Sequence, residues 1–315
     1  MKGWKLWGSI IVCVLIILST IGANSIYTTY KNMLESISVN ESDGEQGLED
    51  AEDKKSLEPF AMLTYGVSTR KQFNDTGHSD TMLLALVDPM KVKISLISIP
   101  RDAYVNIPGH GMNKINTAYP IGESKLMMET IENWLDIDIH AYTSINFQGF
   151  IDLVDLIGGI DVYVPRKMEY DDRIDGTRVR LAKGQQVLDG KNALDFVRFR
   201  KSNDGRHDSD YTRMERQQQA LTAISSKMTS LRSIPRVFNM MNILSDNVQT
   251  SLTPKELEQL TKIFLSFRTE DLETHSIIGG GHNINGVWYE VVTEEEVQRI
   301  NDIIYEFFNG GDLEI

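Results

Sequence analysis

The sequence predicts an α/β protein: a three-layer α/β/α sandwich with a central mixed sheet, preceded by one transmembrane helix. From about residue 59 onward, short apolar segments rich in β-branched residues are interspersed with segments of helical periodicity. Strands mixed with helices over one long span favour a sheet covered by helices on both faces. An apolar run near the N-terminus predicts the transmembrane helix.

Composition limits the classes of function. The chain has 315 residues, of which 41% are hydrophobic and 24% charged, as in a globular protein with a sizeable core. A formal net charge of −13 argues against a nucleic-acid partner, because sequence-independent binding of nucleic acid needs surplus Lys and Arg. Cys13 is the only cysteine, so the domain outside the apolar run has no disulfide.

Two lysines precede the apolar run Leu6–Ala23, which is just long enough to span a bilayer as a helix. Flanking positive charge is typical of the cytoplasmic side. We therefore expect residues 1–5 in the cytoplasm, a signal-anchor helix over residues 6–23 and a cell-membrane protein with an extracellular C-terminal domain. Small residues at the end of the run leave a cleaved signal peptide as the alternative.

Residues 31–58 are rich in Glu, Asp, Ser and Gly and contain few large apolar groups. Such composition is typical of an acidic, disordered linker. The globular domain is expected over residues 59–315.

Strands and helices follow in order along this domain. Apolar runs bounded by turn residues predict strands at Phe60–Val67, Thr81–Val87, Val92–Ile99 and Ile160–Val164. Helical spacing of apolar residues predicts helices at Ser124–Leu135, Phe147–Ile157, Pro254–Arg268 and Glu294–Phe308. Thr253 begins the third of these helices as an N-cap, with Glu256 three residues later.

Arginine is concentrated in the stretch Ala193–Gln219. A period-2 reading predicts a strand on which Leu194, Phe196, Arg198 and Arg200 share one face, opposite Val197 and Phe199. A run without Pro or Gly then predicts a helix from about Asp210 to Met228. One stripe of this helix faces inward and contains Asp210, Arg213, Met214, Gln217, Leu221, Ile224 and Met228.

Charged residues on an inward-facing stripe must be paired or must bind a ligand. Guanidinium groups from the strand and the helix could converge on a multiply charged anion such as phosphate. The alternative is a structural cluster of salt bridges with the nearby aspartates. Three further polar segments lie at strand ends, where α/β proteins place binding sites: Gly66–Arg70, Gly77–Asp80 and Ser98–Asp102.

These motifs together resemble the LytR–CpsA–Psr family. The resemblance extends over about Phe60 to Ile224 and is carried by G-V-x-x-R, S-D-T-M, S-I-P-R-D, K-I-N, G-G-I-D-V and L-D-G-x-x-A-L-x-x-V-R-x-R followed by D-x-x-R-x-x-R-Q. It implies a membrane-anchored enzyme that transfers a glycopolymer, such as wall teichoic acid or capsule, from undecaprenyl pyrophosphate to peptidoglycan with Mg²⁺. It also implies an α/β/α domain with an apolar tunnel for the prenyl chain.

The resemblance also implies roles for particular residues. Pyrophosphate would be bound by Arg70, Arg101, Arg198, Arg200, Arg213, Gln217 and His78. The catalytic residues would be Asp210, Arg101 and Asp102, with the base open among Asp80, Asp102 and Asp210, and the metal would be held by Asp80 and Ser68. The lipid would contact Phe147, Phe150, Ile151, Val154 and Ile157, although the spacing of this stripe favours a role in the core over lipid binding.

Two residues depart from the family pattern. Ser68 stands where the pattern has a metal-binding aspartate, and His78 stands where it has an arginine. A serine hydroxyl can still ligate Mg²⁺, which takes substrate oxygens and water as further ligands. The alternatives to a transferase are therefore a weakened member that only binds the lipid-linked glycan and a hydrolase that uses water as acceptor.

The predicted topology can be tested on intact protoplasts. External protease should release a soluble fragment that begins within residues 31–58, because the anchor places the whole domain outside the cell. Mass spectrometry of the medium would identify the fragment. A domain that stays intact under protease until the protoplasts are lysed would contradict the topology.

Overall fold

The computed structural model describes residues 57–67, 79–171, 177–230, 247–264 and 272–310, together with Asn32 and Ser38. Asp80 and Asp210 are described for their backbones alone. The predicted segments 1–5 and 6–23 and most of 31–58 lie outside these residues. Among the described helices, none is both long enough and apolar enough to cross a membrane.

Strands and helices are introduced here in chain order. The strands are β1 (Phe60–Val67), β2 (Ser79–Asp88), β3 (Lys93–Ile99), β4 (Tyr104–Ile107), β5 (Gly111–Lys114), β6 (Ile139–Asn146), β7 (Ile160–Val164), β8 (Met168–Asp171), β9 (Arg178–Leu181), β10 (Gly184–Leu188), β11 (Val248–Thr250), β12 (Leu272–Ser276), β13 (Gly280–Ile284) and β14 (Val287–Val291). The helices are α1 (Ala118–Leu135), α2 (Phe147–Leu156), α3 (Gly190–Arg198), α4 (Asp210–Ser230), α5 (Pro254–Phe264) and α6 (Glu294–Asn309).

The central sheet is mixed, with strand order β11-β6-β1-β2-β3-β12. β1 is parallel to β6 and antiparallel to β2, and β3 is antiparallel to β2 and parallel to β12. Strands β1, β3, β6 and β12 therefore run in the same direction. Their carboxyl ends lie at one edge of the sheet, where α/β proteins commonly bind ligands.

Alternation along the strands builds a helical layer on each face of the sheet. Leu63, Leu84 and Ile97 are completely buried on one face, against Ile131 of α1 and Ile300 of α6. The opposite face buries a smaller cluster, and this cluster packs against leucines of α5. Helix α4 lies on that second face, because Gln218 donates hydrogen bonds to the side chain of Ser276 and the carbonyl of His275 on β12.

A second core lies beside the sheet and is shared by α2, α3, α4 and the strand pairs β7–β10 and β8–β9. Val154, Ile160, Val162 and Phe196 are completely buried in it. The sandwich with a mixed central sheet and flanking helices is thus confirmed, and the second core supports one side of the cavity described below.

Most of the predicted elements are confirmed. Asn146 is the N-cap of helix α2, and its Oδ1 accepts a hydrogen bond from the Gly149 N–H at 2.8 Å. After the helix come Gly158 and Gly159, with φ of +81° and +84°. Helix α5 has the predicted capping box, since Glu256 Oε2 accepts from the Thr253 N–H at 2.8 Å and Thr253 Oγ1 accepts from the Glu256 N–H at 3.3 Å. Ser38, within the predicted linker, forms a parallel bridge with Thr250.

The strand predicted at residues 194–200 is wrong, because the chain forms helix α3 there and leaves it at Phe199. Asp189 is the N-cap, and its Oδ1 accepts a hydrogen bond from the Asn192 N–H at 2.8 Å. The buried residues Ala193, Leu194, Phe196 and Val197 have helical spacing, which a period-2 reading of so short a run overlooks. Arg198 and Arg200 therefore do not share a strand face.

Gly190 allows α3 to pack directly against α2. A Cβ at this position would lie 2.2 Å from the Ile151 carbonyl oxygen and 2.7 Å from its carbon. Both are backbone atoms and cannot be moved by a side-chain rotation. The Gly190 N–H also donates to Asp155 Oδ1 at 2.6 Å, which fixes the first turn of α3 on α2.

We expect Gly190→Ala to lower the free energy of unfolding by about 3 kcal/mol, because the added methyl group must push the two helices apart. Gly66→Ala is the control, since a Cβ there meets only Thr81 Cβ at an ordinary 3.8 Å. Denaturant unfolding of both variants measures the difference. Equal stability of the two variants would show that α2 and α3 separate without cost.

Candidate active site

A cavity of about 950 Å³ opens at the carboxyl ends of β1, β3 and β6, between the sheet and helices α2, α3 and α4. Two kinds of wall enclose it. One wall is polar and charged, built by the segment after β3, the end of β5 and the first turns of α4. The other wall is apolar and is lined by Ile145, Phe147, Phe150, Val179, Leu194, Val197, Phe199, Ala220 and Leu221.

The polar wall is held by a turn that follows β3. The Ala103 N–H donates to the Pro100 carbonyl at 3.0 Å, and the Ile115 N–H donates to the Ala103 carbonyl at 2.9 Å. This turn places Asp102 between two cations: Lys114 Nζ lies 2.9 Å from Asp102 Oδ1, and Arg101 Nε lies 3.6 Å from Oδ2. All three side chains are largely buried and line the cavity.

Helix α4 supplies the next part of the polar wall. Arg213 and Gln217, one turn apart, are only 5% and 8% exposed, and both line the cavity. Gln217 Nε2 donates to Thr81 Oγ1 at 2.9 Å, which joins α4 to the start of β2. The inward-facing stripe predicted for this helix is confirmed at these positions and at Met214 and Ile224, which are also buried.

Arg198 lies where the polar and apolar walls meet. It is the last residue of α3, and its guanidinium carbon lies 4.1 Å from the centroid of the Phe147 ring. Stacking on an aromatic face stabilises a cation. Arg200 follows two residues later, is exposed, and lines the same cavity. The structure thus brings both arginines to one cavity by a helix end rather than by a strand face.

Arg216 was missed as a site residue and is the most buried arginine of α4, at 3% exposure. Its guanidinium donates to the Phe196 carbonyl at 2.9 Å, to the Phe199 carbonyl and to Asp208 Oδ2 at 2.8 Å. Asp208 also accepts from Arg166. The motif D-x-x-R-x-x-R-Q contains Arg216, but the helical spacing places Arg216 outside the predicted inward-facing stripe. Burial lowers the pKa of Arg216, although the neighbouring Asp208 opposes this shift.

The described lining of the cavity carries a surplus of positive charge. Six of the lining residues are arginine or lysine, and three are aspartate. The cations are Arg101, Lys114, Arg198, Arg200, Lys201 and Arg213, and the aspartates are Asp102, Asp195 and Asp208. Each of these aspartates has a basic partner in the protein. In a chain of net charge −13, this local surplus makes the cavity suited to a multiply charged anion.

Tyr65 also lines the cavity, and its hydroxyl lies 2.6 Å from Ser124 Oγ. Burial raises the pKa of this phenol far above its usual range, with Ser124 opposing the shift. The raised pKa favours the protonated form of Tyr65.

The remaining predicted site residues divide into three groups. Ser68, Arg70 and His78 lie outside the described residues, and Asp80 and Asp210 have described backbones at β2 and at the start of α4. Phe147 and Phe150, which are predicted to contact the lipid, line the cavity. Val154 and Ile157 are buried in the second core, and Ile151 packs against it, so these three residues support the apolar wall from behind.

Known proteins share this fold, a mixed central sheet with flanking helices. The LytR_cpsA_psr family model matches residues 21–305, and the chain therefore belongs to the LytR–CpsA–Psr family, as its motifs predicted.

Named relatives are similar over nearly the whole chain. The polyisoprenyl-teichoic acid–peptidoglycan teichoic acid transferase TagU of Oceanobacillus iheyensis is 34% identical over 312 residues, covering 96% of this chain and 94% of the relative. The crystal structure of B. subtilis TagV superposes with a TM-score of 0.68 at 30% identity, covering 80% of this chain and 98% of that one. TagT bound to LI-WTA superposes with a TM-score of 0.65 at 28% identity, covering 86% and 99%.

The role of Arg216 can be tested by unfolding. We expect Arg216→Met to lower the free energy of unfolding by about 3–5 kcal/mol, because it removes one of the two basic partners of the buried Asp208 and leaves two buried carbonyls without their donor. Arg206→Met is the matched control from the same region, since Arg206 is exposed and paired with Asp204, and it should change stability little. A stable Arg216→Met variant with weakened ligand binding would instead make Arg216 a ligand-binding residue.

Proposed function

We propose that this protein is a transferase that moves a glycopolymer, such as wall teichoic acid, from a polyisoprenyl-pyrophosphate carrier to peptidoglycan. Family membership and the names of relatives at 30–34% identity support this class of reaction. The observation that carries the proposal is the cavity itself, which joins a cationic wall to an apolar wall within one volume. A ligand with a pyrophosphate head and a prenyl tail matches both walls.

The cationic wall would bind the pyrophosphate. Arg101, Arg198, Arg200 and Arg213 line the cavity, and guanidinium groups bind phosphate oxygens with two donors at a time. Because phosphoryl transfer needs mainly positioning and compensation of charge, these residues would also stabilise the transition state. Arg70 and His78 are proposed as further donors from the segment between β1 and β2.

The reaction follows from this arrangement. The oxygen of an acceptor hydroxyl on peptidoglycan attacks the phosphorus next to the sugar, and a new P–O bond forms. The bond from that phosphorus to the bridging oxygen breaks, and prenyl phosphate leaves. The hydroxyl proton passes to a carboxylate, for which Asp80, Asp102 and Asp210 are the candidates. Asp102 contacts Lys114 at 2.9 Å, an arrangement that suits it to holding that lysine toward the phosphates.

Mg²⁺ is part of the proposal, with Asp80 and Ser68 as its protein ligands. Val67, the last residue of β1, pairs with Ser79 next to a β-bulge, and Ser68 and Asp80 are the residues that follow these two in the sequence. Among the described side chains no group of three His, Cys, Asp or Glu could hold a metal ion. Two protein oxygens suit Mg²⁺, which completes its octahedral shell with water and substrate phosphate. When bound, the ion would neutralise charge on the phosphates.

The apolar wall would bind the prenyl chain. Phe147 and Phe150 of α2 and Leu194 and Val197 of α3 form its central part. Burial of each CH₂ group contributes about 0.8 kcal/mol, so even a few isoprene units add strongly to affinity. The carrier lies in a membrane, and peptidoglycan lies outside it. The signal-anchor helix at residues 6–23 and an extracellular domain are therefore part of the same proposal.

A transfer assay with the full-length protein in detergent tests the function. Labelled glycan on prenyl pyrophosphate should move to peptidoglycan when Mg²⁺ is present and stay on the lipid without peptidoglycan. Arg198→Ala should weaken binding of the lipid by about 1.5–3 kcal/mol, the cost of one charge-assisted hydrogen-bonded contact. Arg178→Ala is the control, because Arg178 is exposed on β9 and does not line the cavity.

Other outcomes of the assay would contradict the proposal in different ways. Release of free glycan phosphate in the absence of peptidoglycan would indicate a hydrolase. Tight binding of the lipid without any transfer or release would indicate a binding protein. Normal binding by Arg198→Ala would show that the arginine cluster has a structural role.

A further inference from the structure

Asn116 is the last residue of the K-I-N motif. It lies in the short 3₁₀ turn Ile115–Thr117 after β5 and lines the cavity beside Arg101. Its side chain is 8% exposed, and its Oδ1 atom is fully buried without a hydrogen-bond partner. Its backbone N–H donates to the Arg101 carbonyl at 3.2 Å, which fixes the residue in the polar wall.

Neighbouring neutral groups of the cavity already have partners within the protein. Asn146 Oδ1 caps helix α2, Gln217 Nε2 donates to Thr81, and Thr117 Oγ1 donates to the Lys114 carbonyl at 2.7 Å. The Asn116 oxygen differs from them. A buried acceptor without a partner costs free energy, and native structures rarely keep one without a reason. The χ2 torsion of asparagine is soft, so the amide can turn this oxygen toward a ligand.

The chemistry of the ligand decides which group meets that oxygen. Ionised pyrophosphate has oxygen acceptors and no hydrogen to donate, and a prenyl chain has no polar group. Only the sugar attached to the pyrophosphate carries donors, as hydroxyl groups or an acetamido N–H. The lining arginines and Lys114 are suited to the phosphate oxygens, whereas an amide oxygen is suited to a sugar donor.

We propose that Asn116 is a specificity-determining residue that accepts a hydrogen bond from the first sugar of the lipid-linked glycan. The inference rests on the proposed function and adds a sugar-reading group to the phosphate-binding wall. It places this sugar against the turn that follows β5, next to Arg101. The protein then distinguishes a glycan-loaded carrier from the bare prenyl pyrophosphate.

Binding of two probes to the full-length protein in detergent, at fixed excess Mg²⁺, tests this proposal. One probe is a short-chain prenyl pyrophosphate, and the other is the same lipid carrying one N-acetylhexosamine. Asn116→Ala should lower the affinity for the sugar-bearing probe about 10-fold, as expected for one lost hydrogen bond to a buried group. The affinity of this variant for the bare prenyl pyrophosphate should stay within 2-fold of the wild-type value. The control is Asn106→Ala, an exposed asparagine of β4 that does not line the cavity and should change neither affinity.

Asn116→Asp keeps the shape and an acceptor oxygen while adding negative charge. It should weaken both probes by the same factor and preserve the ratio of their affinities. If Asn116→Ala lowers the affinity for both probes equally, the inference is overturned. The amide would then contact the phosphate or the metal, or it would serve folding alone. Unchanged affinities in that variant would overturn it as well. If the wild-type protein binds neither probe, the proposed function itself fails together with the inference.

Discussion

The buried ion pair between Arg216 and Asp208 determines how the walls of the cavity are joined. Arg216 satisfies the carbonyls of Phe196 and Phe199, where α3 ends, and its charge is offset by Asp208 in the loop before α4. The Asp208 N–H in turn donates to the Arg200 carbonyl at 2.8 Å. One guanidinium thus fixes the backbone on both sides of Arg198 and Arg200. Because a buried charge without its partners is very costly, these contacts disfavour other arrangements of the segment.

The arginines of the site fall into two groups with different consequences for stability. Arg216 and Arg166 both pair with Asp208 inside the protein, so they hold the fold together with or without a ligand. The groups that line the cavity include six cations and three aspartates, and their mutual repulsion opposes folding. An anion in the cavity relieves that repulsion and binds only the folded state. Binding should therefore stabilise the domain in proportion to the logarithm of ligand concentration.

Secondary-structure elements with a long, strong sequence pattern were predicted correctly, whereas an element with a short pattern was predicted wrongly. The run without Pro or Gly after Asp210 gave the correct helix, and the capping box at Thr253 gave the correct start of α5. The segment Gly190–Arg198 has too few residues to separate period 2 from period 3.6. Its helix depends on the Asp189 cap and on contact with α2 through Gly190, and both are features of the folded chain. The pairing of Arg216 with Asp208 likewise depends on tertiary structure, so the sequence did not predict it.

The proposed selectivity for an amphiphilic ligand would follow from the separate origins of the polar wall and the apolar wall. The apolar wall is supported by the second core around α2 and α3, and the polar wall is held by turns at the edge of the main sheet. Arg198 joins the walls by stacking on Phe147, so a ligand reaches both only if its charge and its apolar chain are adjacent. Free phosphate meets the polar wall alone, and a neutral lipid meets the apolar wall alone. A prenyl pyrophosphate, the ligand proposed above for the carrier, would gain from both contacts while losing overall freedom of motion only once.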